Sequence, residues 1–166
     1  MSTCSDTISY LNKVDVRVIN NVGNFGPWIT PTNNRQLYDL LPDKYIITDP
    51  DLKLNPNIPS NFIEILASLS DKYKTSKIGF ALDITDHDKF YPTTKYFADM
   101  SIRNWESQFW LNKIENECEY EIYKADIDTT FCLMNKKNIE SEIDLHIRVA
   151  GDFTAKHIPW YIENEI

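Results

Sequence analysis

Between Lys44 and Leu54 the chain reads KYIITDPDLKL, and no other stretch limits its fold as sharply. Tyr45, Ile46 and Ile47 form a short apolar run closed by a turn-former, the pattern of a buried strand. Pro50 has no N–H and a fixed φ, so the strand cannot run on through it. The strand must therefore end at the border of a sheet. Asp49 and Asp51 stand at i and i+2, on one side of extended backbone, and a turn at Pro50 can draw them onto one point. Two carboxylates so placed either repel or hold a cation. Hard divalent ions take oxygen ligands, and Mg²⁺ typically uses one or two carboxylates together with substrate phosphates. Asp-Pro-Asp is also ordinary turn chemistry, and taken alone the tripeptide is more often a turn than a metal motif.

The rest of the chain supports a folded protein around this stretch. With 166 residues, 42% of them hydrophobic and 13% aromatic, it is long enough for one domain with a real core and too short for two comfortable ones. The net charge is −8, and no stripe of Lys or Arg is present, which argues against nucleic acid as a partner. An anionic ligand would need a metal or backbone amides. No apolar run approaches the roughly 20 residues of a membrane span, and MSTCSDTISY is not a signal peptide. The expectation is a soluble cytoplasmic protein with no transmembrane segment. Cys4, Cys118 and Cys132 are odd in number and lack CxxC spacing, which fits a reducing compartment without structural zinc.

In chain order, Ile8 to Leu11 is a short amphipathic helix with Ser5 or Asp6 as its cap. Val14 to Asn20 alternates as a strand should. NVGNFGPWITPTNN follows as a loop, in which Gly23 and Gly26 permit positive φ or close approach of backbone to a ligand. Asn34 to Leu41 is helical and ends at Pro42. Ser60 is suited to cap an amphipathic helix over Asn61 to Lys72, and Lys77 to Ile84 is a strand. TDHDKFYPTTKYFAD is a polar-aromatic surface loop. Arg103 to Ile114 is a helix whose Trp105 and Phe109 share one face. EYEIYKADIDTTFCLMN is a strand pair or a long bent strand, and LHIRVAG is a further strand. Strands alternating with helices in short units predict a single α/β domain over 1–166, with a mixed, mainly parallel central sheet flanked by helices. In such sheets ligands gather at the carboxyl ends of strands, where Asp49 and Asp51 lie.

VRVINNVGNFGPW, YIITDPDL, KIGFALDI, WESQFW, ADIDTTFCLM and RVAGDFTAKHIPWY follow one another over most of the chain. Together they resemble the GT-A class of nucleotide-sugar glycosyltransferases, in a family-2-like bacterial and viral branch. The resemblance implies Mn²⁺ or Mg²⁺ held by Asp49 and Asp51, with His157 as a further ligand. It implies a nucleotide-diphosphate sugar as donor, contacted by Asn24, Gly26 and Asp49, with Trp28 stacking or packing nearby. The acceptor would be a glycan or another hydroxyl compound. Inverting transfer requires a carboxylate to take the acceptor's proton, and Asp128 and Glu106 are the candidates, jointly lining the site. Both acids sit in aromatic or β-branched surroundings, where an unpaired charge is costly and a carboxylate's pKa rises.

Each of these residues has a plainer reading. Asp128 can be a strand-end acid bonded to Thr129 or Thr130, Glu106 an exposed helical charge, and His157 a half-packed residue. Arg35 either reaches a phosphate or is solvated, while His87 and His146 match nothing in the family and are read as structural. Against the family pattern, the first strand, first helix and second strand are missing, so the domain is expected to be N-terminally incomplete. A partner chain or oligomer would then cover the exposed sheet edge. The alternative function is a non-catalytic nucleotide-sugar or glycan-binding remnant of the same fold.

Overall fold

A computed structural model describes residues 3–19, 23, 26, 29–93, 96–115, 119–128, 130–139 and 145–162. The chain divides into two units, 1–40 and 41–166.

Residues 1–40 hold two short helices, α1 (Ser5–Leu11) and α2 (Arg35–Leu40). Cys4 occupies the cap position of α1, in place of Ser5 or Asp6, and makes no side-chain capping bond. Arg35 pairs through Nε with Asp39 Oδ2 at 2.9 Å, one helical turn away and exposed. The expected strand over Val14 to Asn20 is not formed in its described part, 14–19. Alternation creates a surface fit for pairing, but a strand exists only where a neighbour accepts its hydrogen bonds.

Residues 41–166 form a six-stranded mixed sheet flanked by helices. Its strands are β1 (Lys44–Ile47), β2 (Leu52–Leu54), β3 (Lys77–Leu82), β4 (Ile122–Lys124), β5 (Cys132–Asn135) and β6 (His146–His157). The order is β1-β5-β3-β6-β2, with β4 also paired to β6. A mainly parallel sheet was the expectation, and the pairing corrects it. Only β3 and β6 run parallel; β1/β5, β3/β5, β2/β6 and β4/β6 are antiparallel. The segment 119–135 is a pair of strands that do not pair with each other, because each finds a partner elsewhere.

β3 is buried at every position, as a central strand covered on both faces must be. α3 (Phe62–Tyr73) lays Leu66 and Leu69 into the core with Ile78, Phe80, Leu133 and Ile147. Its cap residue is Asn61, without a side-chain bond, and its last turn ends on Lys74 in left-handed geometry, φ 51°. Phe80 stacks on Phe131 with ring centroids 4.3 Å apart. β6 breaks register between its pairings with Phe80 and Ala81, slipping from Val149 to Thr154. Gly151 lies in that excursion at φ +68°, a conformation open to glycine at little cost. Along its other side β6 takes β4 before the excursion, through 147–149, and β2 after it, through 155–157.

Gly79 stands where β3 and β5 come closest. A Cβ there would lie 2.1 Å from the Phe131 carbonyl oxygen and 2.8 Å from Cys132 Cα. Backbone in the middle of a sheet has no room to yield. Gly79→Ala is therefore expected to cost about 3 kcal/mol of stability, read as a shift in the denaturation midpoint. A loss below about 1 kcal/mol would mean the two strands separate easily.

Candidate active site

β1 and β2 lie at opposite ends of the strand order, so the four residues between them, Thr48 to Asp51, cross the sheet. This crossing carries Asp49-Pro50-Asp51 over the strand ends. β2 then pairs with the last turn of β6, Leu52 opposite His157, and Asp51 O accepts the Ile158 N–H at 2.9 Å. A register fixed by backbone hydrogen bonds thus brings together residues more than a hundred positions apart. Asp49, Asp51 and His157 present ligand atoms all within 4.8 Å of one another. Asp51 Oδ1 lies 3.6 Å from His157 Nε2, and the His157 ring meets Trp160 edge-on at 5.1 Å.

Two atoms in this group are buried and have no hydrogen-bond partner among the described residues, Asp51 Oδ1 and His157 Nδ1. The Asp51 side chain is 41% exposed as a whole, so one of its oxygens is turned inward. Orphaned buried polar atoms are rare and each calls for a physical reason. Two carboxylates and an imidazole converging at this separation form a donor set suited to a divalent cation.

Asp49 and His157 also line a cavity of about 570 Å³, a size ordinary for small-molecule sites. Its wall includes Glu106, Asp126, Asp128, Thr130, His146 and Arg148, with Tyr96, Trp105, Phe109 and Trp160 as its aromatic part. A neighbouring hollow of about 440 Å³ shares Gln108, Phe109, Asp126 and His146 with it and adds Asn112 and Lys124. Both sequence-derived carboxylates, Asp128 and Glu106, thus face the same space as Asp49 and His157.

Glu106 is not the exposed helical charge of the plainer reading. Ser101 caps α4 (Ile102–Ser107) by accepting from the Asn104 N–H, and this start turns Glu106 inward, leaving it 1% exposed. Its carboxylate accepts a hydrogen bond from Arg148 Nη1 on β6. Burial pushes its pKa up to about 7 against the opposing pull of the guanidinium. Arg148 is itself 3% exposed, donates from Nε to Asp126 O at 2.6 Å, and lies 4.1 Å from the Phe109 ring centre. The expected helix Arg103 to Ile114 ends early. It tightens into a 3₁₀ turn over Gln108–Trp110, and Lys113 then bridges to Tyr123 of β4.

Asp128 differs from Glu106 in being exposed. Burial that raises a carboxylate's pKa is found at Glu106. The Thr130 hydroxyl does not bond Asp128, being buried without a partner among the described residues, and Thr129 lies outside them. The segment before Thr130 is instead held from beneath by buried cations. Lys77, 6% exposed, donates to Ile127 O, beside the Arg148 bond to Asp126 O. Burial lowers the Lys77 pKa. Burial raises the Cys132 thiol to about 11, which makes it a packing residue and no nucleophile.

His146, read from sequence as structural, lines the cavity, with Nδ1 3.1 Å from Asp126 Oδ1. His87 Nδ1 stands 3.2 Å from the Ile84 carbonyl, a packing role. Asn24 and Trp28 lie outside the described residues. Gly26 belongs to the unit 1–40 and has φ +76°, the positive φ its loop suggested. Sequence reasoning missed Arg148, Lys77, Thr130 and Tyr96. The signal for the first two was charge inside strands otherwise apolar, KIGFAL and HIRVA.

The loop before α4 closes on a tight hairpin. Phe97 and Met100 bridge, with Ala98 and Asp99 both at positive φ, 48° and 59°, the pattern of a two-residue hairpin turn. It sets Phe97 against Trp105 at 4.1 Å and Tyr96 OH where it accepts from Trp160 Nε1 at 3.1 Å. The aromatic wall is thereby tied to the strand end that carries His157. Among the described residues no helix is long and apolar enough to cross a membrane.

Compared with protein-family models, with curated proteins and with solved structures, the chain matches none.

Proposed function

We propose that this protein is a metal-dependent glycosyltransferase of the GT-A type, moving a sugar from a nucleotide diphosphate to an acceptor hydroxyl. The observation that carries the reading is the convergence of Asp49, Asp51 and His157 at a cavity also lined by Asp128 and Glu106. A bound Mn²⁺ or Mg²⁺ would stabilise negative charge on a departing diphosphate as a Lewis acid. Asp49, Asp51 and His157 would hold the ion. Asp128, exposed at the cavity wall, is the carboxylate in position to take a proton from an acceptor hydroxyl. Glu106 suits the part of base less well, because its carboxylate is engaged by Arg148. The pair acts as a floor that fixes the wall bearing Asp126 and Asp128. The aromatic wall of Tyr96, Trp105, Phe109 and Trp160 offers ring faces to the apolar faces of sugars.

Calorimetric titration tests the reading. UDP-sugars and GDP-sugars are titrated with and without Mn²⁺, and release of free nucleotide is followed in parallel. Binding that requires the metal, with release of nucleotide in the presence of acceptor sugars, is the expected result. Metal-dependent binding without release would point to the non-catalytic remnant. Failure to bind any of these nucleotides would remove the proposal.

A further inference from the structure

Thr130 is 6% exposed and lines the cavity, yet its hydroxyl has no hydrogen-bond partner among the described residues. A buried hydroxyl in that condition weakens the fold unless something outside the fold bonds it. Its place in the sheet says what that is. β1 and β5 run antiparallel with Ile47 opposite Cys132. Beyond that pair the two segments run on to Asp49 and to Thr130, each two residues from it. Both residues line the same cavity, so Thr130 shares that space with a member of the group that would hold the cation. Upstream of it the backbone is held at Asp126 and Ile127, whose carbonyls accept from Arg148 and Lys77. Phe131, which follows, is locked against Phe80. Among the described residues no neighbour uses the Thr130 hydroxyl.

From this geometry we infer that Thr130 Oγ1 is a ligand-contact group that donates a hydrogen bond to an oxygen of the metal-borne diphosphate. The inference rests on the reading of the cavity as a nucleotide-diphosphate site and adds a residue to it. A neutral hydroxyl at this point contributes a directed donor without adding charge beside the cation. It rewards an oxygen at one position only, so it selects how the diphosphate is seated. The anionic acceptor makes this the stronger kind of hydrogen bond.

Thr130→Val keeps the shape and removes the hydroxyl, while Thr130→Ser keeps the hydroxyl. Affinity for UDP and for GDP is measured by calorimetry in saturating Mn²⁺, affinity for Mn²⁺ alone is measured separately, and each variant is melted without ligand. Thr130→Val is expected to weaken binding of the preferred nucleotide by about 10- to 100-fold, with Mn²⁺ affinity unchanged and a melting point equal to or above that of the unsubstituted protein. Thr130→Ser is expected to retain most of the affinity. Nucleotide binding by Thr130→Val as tight as by the unsubstituted protein would overturn the inference while leaving the site reading intact. A clear drop in the melting point of Thr130→Val would also overturn it, by showing that the hydroxyl serves the fold. If the unsubstituted protein bound neither nucleotide with Mn²⁺, the site reading would fail and this inference with it.

Discussion

Arg148→Met is expected to lower folding stability by about 3–5 kcal/mol, the cost of breaking a buried ion pair from one side. Arg148 and Glu106 are 3% and 1% exposed, so neither can turn to water when its partner goes. The substitution also strips Asp126 O of its donor and Phe109 of the guanidinium at its face. Glu106→Leu combined with Arg148→Met should recover much of the loss, since a matched apolar pair has no charge to desolvate. Urea denaturation of the single and double variants decides the matter. A single variant within about 1 kcal/mol of the parent would show that the pair is not closed to solvent.

The same pair gives stability a pH dependence of defined sign. Glu106 has a folded-state pKa of about 7, against 4.5 for an ordinary glutamate, so between those values the folded protein holds a proton that the unfolded chain has released. The contribution is complete below about pH 4.5 and is lost as pH rises through about 7. Glu106→Gln can still accept from Arg148 but does not titrate. Compared with it, the parent protein is expected to lose stability steadily across this window, and a parallel pair of pH profiles would contradict the raised pKa.

Asp51→Asn is expected to weaken Mn²⁺ binding by on the order of 100-fold or more. Even residues one step removed from a metal cost 10- to 100-fold when altered, and here the altered atom is itself among the three that converge with Asp49 and His157. The amide preserves shape, and the backbone bond from Ile158 N to Asp51 O does not depend on the side chain. The metal-free melting point should therefore hold, or rise slightly as repulsion between neighbouring carboxylates is relieved. A fold-preserving loss of metal affinity separates a cation site from a turn that happens to hold two acids. Unchanged Mn²⁺ affinity would return Asp-Pro-Asp to the status of a turn.

What could be read directly from residue order was local. The apolar run into Pro50 does end in a strand at Ile47, the alternating face of FIEILASLSDKY does form α3, and KIGFAL is the buried central strand. Such features follow from side-chain periodicity and from the fixed geometry of proline, which act within a few residues. The strand expected over Val14 to Asn20 is not formed in its described part, where its pattern meets no partner among the described residues. The parallel sheet failed for a related reason: alternation of strands and helices leaves open which strand lies beside which.

Pairing was settled by the tertiary structure. Leu52 opposite His157 placed the histidine beside Asp51, and Asp49 and Thr130 came to line one cavity. Burial of Glu106 against a guanidinium from β6 likewise joined residues 42 positions apart. The sequence by itself supplied the acids, the turn and the strand that delivers them. Which atoms meet there, and which are left without partners, came from hydrogen-bond register and core closure, both sums over distant residues that no local pattern contains.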